Sequence, residues 1–118
     1  MSDAPNNVQS QLAKLKTKYA AALPGKLASV ESALAPLFAQ PWSEEACATS
    51  HRQIHSLAGS AGTYGFGEIT TIARDVEALL KQSLDSRSTL SGSDQARVAD
   101  LMKKLHERAA DASREASR

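Results

Sequence analysis

The chain has 118 residues with a formal charge of +1, 42% hydrophobic and 23% charged, the profile of one small globular domain. So little net charge gives no electrostatic case for nucleic acid or an anionic membrane surface, and no apolar run is long enough to span a bilayer. Aromatic residues make up only 4%, which leaves the core to Ala, Leu, Ile and Val and favours close-packed helices over a sheet sandwich.

In chain order, "MSDAPNNVQS" lacks the basic and apolar regions of a secretory signal. Residues 1–6 are expected to be flexible and the protein cytoplasmic. Apolar residues then recur at helical spacing in five segments, and no stretch alternates at period two. The first aligns Val8, Leu12, Leu15, Tyr19 and Ala22. Pro24 and Gly25 are expected to break the chain, with Pro24 in the first turn of the next helix. That second helix lines up Leu27, Val30, Leu34 and Leu37, and Pro36 should kink or end it. Ser43, followed by Glu44 and Glu45, is a helix start: the hydroxyl caps a free backbone N–H and the acids complement the dipole.

The third helix carries Cys47, Ser50, Ile54, Leu57, Ala61 and Tyr64 on one seam, and the fourth Ile69, Ile72, Val76 and Leu79, with Ala73 and Leu80 alongside. Cys47 stands alone, which excludes an intrachain disulfide and a thiolate zinc cluster; its ordinary role is that of a small buried apolar residue. Residues 83–94 form a polar loop with cap candidates at Ser91 and Ser93. The fifth helix aligns Val98, Met102, Leu105, Ala109 and Ala112, with Leu101 on the flank. Each stripe is one-sided and must be buried against another helix, and short connections favour antiparallel neighbours. The expected fold is all-α: an antiparallel up-down four-helix bundle from the second to fifth helices, with an additional N-terminal helix lying across one end. A single domain is expected over residues 7–113, with residues 114–118 frayed.

The stretch "HSLAGSAGTYGFGE", residues 55–68, sets a histidine beside glycines 59, 62, 65 and 67. At about 100° per residue, His55 lies well away from the seam centred on Cys47 to Ala61, with His51, Arg52, Ser56 and Gly59 on or near its side. A glycine within a helix costs roughly 1 kcal/mol relative to alanine. For Gly62, Gly65 and Gly67 a turn accounts for it. For Gly59 two accounts stand: close approach of a neighbouring helix, or clearance for another protein to reach the imidazole. A neutral imidazole in solvent can attack phosphorus and hold a phosphoryl group as a phosphoramidate, although most surface histidines are merely solvated.

From His55 onward the chain resembles the histidine-containing phosphotransfer family of bacterial phosphorelays. His55, Leu57, Gly59, Ser60 and Ala61 match that family's pattern in order, Gly65 and Phe66 stand at its turn, and Ile69, Ala73, Val76 and Glu77 follow in register. The resemblance implies a phosphoryl carrier, not an enzyme in its own right. His55 would take the group from the aspartyl phosphate of one response-regulator receiver domain and pass it to another, in a pathway fed by a hybrid sensor histidine kinase. The receiver would supply Mg²⁺ and most catalytic groups, and this chain would bind no cofactor. Gly59 would clear the approach, with Gly62 shaping the site. Glu77 is read as an acceptor or a helix-surface contact in the bundle, without assigned chemistry. One departure stands out: the family's common lysine, three residues after the histidine, is Ala58 here. Arg52, one turn before His55, could replace that cation or be an ordinary solvated arginine.

Two other function classes fit parts of the pattern. His51 and His55, four apart, have metal-ligand spacing, with Glu77, Asp75 or His106 as further ligands, although two histidines without a placed acid make a weak site. A bundle that docks receivers without carrying phosphate is the other. No nucleotide-binding motif is present, and a monomer is expected.

Overall fold

A computed structural model of the chain describes residues 4–39 and 41–116, the side chains from residue 8 onward. Four long helices account for most of it: α1 (Ala4–Leu34), α2 (Glu44–Thr63), α3 (Gly67–Ser86) and α4 (Gly92–Ala116), with a 3-10 turn at Ala35–Phe38. Each helix packs on its sequence neighbours, α2 most extensively on α3, and α4 closes the ring against α1. The four-helix bundle expected from the one-sided stripes is therefore present. Its core is aliphatic, with Leu23, Leu27, Val30, Leu34, Ile54, Val76, Leu80, Val98 and Leu105 excluded from solvent.

The helix ends follow local chemistry. Ser43 caps α2 by accepting a hydrogen bond from the Ala46 N–H at 3.1 Å, and Glu44 and Glu45 occupy the first turn. Ser91 does the same for α4 through the Asp94 N–H at 3.1 Å. Between α2 and α3 the chain reverses over three residues: the Phe66 N–H donates to the Ala61 carbonyl at 2.8 Å and the Gly65 N–H to the Gly62 carbonyl at 3.0 Å. Gly65, at φ +87°, adopts the left-handed conformation that this double-bonded helix ending requires.

Two expectations are corrected. The first and second predicted helices are one: α1 runs through Pro24 without a break, so no separate helix lies across the end. Tyr19, Ala20, Leu23, Leu27, Val30 and Leu34 are all buried, an unbroken register at steps of three and four that spans the proline. Pro24 itself is exposed. An interior proline costs roughly 3 kcal/mol, whereas burying several leucine- and valine-sized side chains returns roughly 1.5–3 kcal/mol each. Ala22, expected on the seam, faces solvent; Leu23 takes its place. The second correction concerns the loop at 83–94: α3 reaches Ser86, and Ser83 is buried within it, where its hydroxyl accepts from Trp42 Nε1 at 3.1 Å and donates to the Ser88 carbonyl.

The start of α1 overhangs the bundle. Val8, Leu12 and Leu15 are 47–58% exposed, and Thr17 donates to the carbonyl of Ala116 near the end of α4 at 3.1 Å. This overhang helps to make the molecule 63 Å long and only 21 by 19 Å across. Helix α1 begins at Ala4 and α4 continues to Ala116, inside the stretches expected to be flexible and frayed; residues 1–3 and 117–118 lie outside the described residues.

Candidate functional site

His55 projects from the middle of α2, its side chain 65% exposed. Tight pairing of α2 with α3 brings Glu77 beneath it: a carboxylate oxygen of Glu77 lies 2.5 Å from His55 Nδ1. An ionised carboxylate can only accept, so Nδ1 carries the proton and, in the neutral ring, Nε2 keeps its lone pair. Nε2 is the nitrogen turned away from the acid. Glu77 is mostly covered, its side chain 17% exposed, and is fixed to a rigid helix.

Two further groups touch this pair. His51, one turn earlier on α2, stacks its ring on that of His55 at 6.3 Å between centroids. Its Nε2 is 3.7 Å from the same Glu77 oxygen, beyond hydrogen-bond range, and is buried with no other partner. From α3, Arg74 reaches the second Glu77 oxygen at 3.9 Å while remaining 57% exposed. Arg52 is exposed on α2.

The pattern of residues around this site is shared beyond the chain. Residues 14–112 match the Hpt domain, a match that covers most of the sequence. The chain is an Hpt domain. Hpt domains serve histidine phosphotransfer in two-component phosphorelays, as phosphocarrier modules that work with receiver domains and kinases. No curated protein and no solved structure gives a match. No helix among the described residues is long and apolar enough to cross a membrane.

Within this Hpt domain the sequence candidates separate into three groups. His51 and His55 come together with Glu77, the residue to which sequence reasoning gave no chemistry. Its signal was available: His55 stands ten residues before Gly65 and Glu77 twelve after it, nearly level across a tight helical hairpin. Gly59 faces open space, since a Cβ built there meets nothing within 4 Å. Close approach of a neighbouring helix is therefore not what requires it. Ser56 is exposed and borders a shallow groove between α1 and α2 with Lys26 and Gln53.

Ala58 and Gly62 lie where α2 packs on α3. Ala58 is fully buried, and its carbonyl accepts from Thr70 Oγ1 at 2.7 Å. A Cβ on Gly62 would come within 3.1 Å of that same Thr70 oxygen, a tight contact that the glycine avoids. Of the further ligands considered for a metal, Glu77 lies with the two histidines, whereas His106 pairs with Glu31 at 3.0 Å, joining α4 to α1, and Asp75 faces solvent. Among the described residues no group of three or more His, Cys, Asp or Glu is arranged to hold a metal ion.

Proposed function

We propose that His55 is the phosphoacceptor of this Hpt domain, taking a phosphoryl group from the aspartyl phosphate of one receiver domain and delivering it to the aspartate of another. The observation that carries the reading is the Nδ1–Glu77 hydrogen bond on an exposed ring. It fixes the tautomer whose free lone pair faces the solvent from which a receiver would come. In the transfer that lone pair attacks phosphorus and the N–P bond forms. The P–O bond to the receiver's aspartate breaks, and its electron pair leaves with the carboxylate. Nδ1 keeps its proton throughout, so the ring becomes cationic, and the Glu77 carboxylate stabilises the positive charge where it develops. The reverse step delivers the group to the second receiver. Mg²⁺ belongs to the receivers in this scheme, and a hybrid sensor kinase would feed the first of them.

The test is transfer from a panel of phosphorylated receiver domains, following acid-labile, base-stable phosphate on this chain. Label should vanish in His55→Gln and persist in His51→Gln and His106→Gln. Glu77→Ala should slow transfer by about an order of magnitude, the worth of one charge-assisted hydrogen bond, with Glu77→Gln intermediate because its amide oxygen still accepts from Nδ1. Receivers that bind without transferring label would instead make the chain a docking module.

A further inference from the structure

We propose that Arg74 is the residue of this chain that binds the phosphoryl oxygens at His55 and offsets their charge during transfer. The inference rests on His55 being the phosphorylated residue and names the cation that serves it.

Phosphorylation of His55 sets a dianionic group on an imidazole whose other nitrogen is 2.5 Å from the Glu77 carboxylate. The protonated ring offsets only part of the negative charge on the phosphoryl group and the Glu77 carboxylate that flank it, and a further cation at the phosphoryl oxygens would offset the excess. Glu77 cannot withdraw readily, because its side chain is mostly covered. Position 58, level with the site on α2, offers only a buried methyl group.

Arg74 meets the requirement from the opposite helix. Among the described residues it is the arginine or lysine ion-paired with Glu77, at 3.9 Å, a loose contact from which the guanidinium can move. Its place along the hairpin is also fixed. Thr70, one turn before it, bonds the Ala58 carbonyl, and Glu77, three residues after it, bonds His55. Arg74 therefore stands on α3 at the level between His55 and Ala58. A planar guanidinium with five donors can hold two phosphoryl oxygens at once. The neighbouring cation on α3, Lys81, is bound to Asp85 at 3.0 Å one turn further along, away from this level.

The experiment uses the intact chain and a small phosphodonor, so that it does not depend on any receiver. Phosphoramidate transfers its phosphoryl group to imidazole with release of ammonia, and the ³¹P signal absent from His55→Gln reports His55 alone. Initial rates at that signal should fall about threefold to tenfold in Arg74→Gln, as expected for loss of one charge-assisted contact. Arg74→Lys should recover much of the rate, Arg97→Ala on α4 should match the unsubstituted chain, and added salt should narrow the gap. The His55 ring ¹⁵N shifts should stay where they are in Arg74→Gln. An unchanged rate in Arg74→Gln overturns the proposal, as does a loss of rate confined to Arg52→Ala. A fall in rate together with shifted ¹⁵N signals would also overturn it, because Arg74 would then act only by placing Glu77. If receivers fail to transfer while phosphoramidate labels His55, the relay reading falls and the Arg74 result stands on its own.

Discussion

At Gly59 the cost of a residue to the fold and its use to function can be separated. Nothing among the described residues needs a glycine there, so Gly59→Ala should stabilise the protein by up to about 1 kcal/mol, read from urea unfolding. Gly59→Leu should fold as well yet slow transfer from a receiver, since its side chain enters the space beside His55. Undiminished transfer in Gly59→Leu would remove the clearance role. Two other single residues set a pH dependence. Burial pushes the Cys47 thiol up, opposed by hydrogen bonding from Ser83 and Trp42, and burial likewise raises the Tyr19 phenol, with Ser60 opposing and Tyr64 adding to the rise. Both groups are neutral when protonated, so the unfolded chain releases these protons at lower pH than the folded one. The contribution of these two groups should be level below the unfolded thiol value of about 8.5 and decline as pH rises past it, then past the tyrosine value of about 10. Urea midpoints between pH 7 and 11 test this: Cys47→Ala should flatten the first decline and Tyr19→Phe the second.

For the individual helices, local signals and long-range packing can be weighed against each other. Ser43 and Ser91 act as caps because capping is decided within four residues, and the sequence shows all of them. Pro24 misleads for the opposite reason. A proline next to a glycine is a local stop signal, but whether it wins depends on what lies beneath both flanking turns. Here those turns bury Tyr19, Leu23, Leu27 and Val30 in one core. Because Pro24 is exposed and interior to α1, Pro24→Ala should stabilise the protein by roughly 1–3 kcal/mol, the interior-proline cost less the entropy returned to the unfolded chain. A lower urea midpoint in Pro24→Ala would show that the proline is favourable where it stands.

Taken as a whole, the molecule is a compact bundle with one protruding helix end, and the two parts should contribute unequally to stability. Leu80, wholly buried, touches the common core, so Leu80→Ala should cost about 2–5 kcal/mol. Removing residues 1–13 takes away Val8 and Leu12, both more than half exposed, and should shift stability by less than about 1 kcal/mol. Comparable losses in the two variants would mean that the overhang is buried against something in solution. The Val8–Leu12–Leu15 stripe shows the limit of periodicity: apolar spacing identifies a face capable of burial, and only the position of the other helices shows whether anything covers it.

The amphipathic stripes, the cap residues and the glycine turn were enough to specify an all-α bundle, and the spacing around His55 was enough to indicate its family. Those features depend on neighbours within a turn or two, or on a pattern of residue types that can be read along a line. What came only with the tertiary structure were the pairings across α2 and α3. Glu77 under His55, Arg74 beside them, Ala58 and Gly62 against Thr70, and the emptiness around Gly59 all depend on the register and rotation of one helix against another. A one-dimensional pattern constrains that geometry loosely, and packed side chains set it to within an ångström.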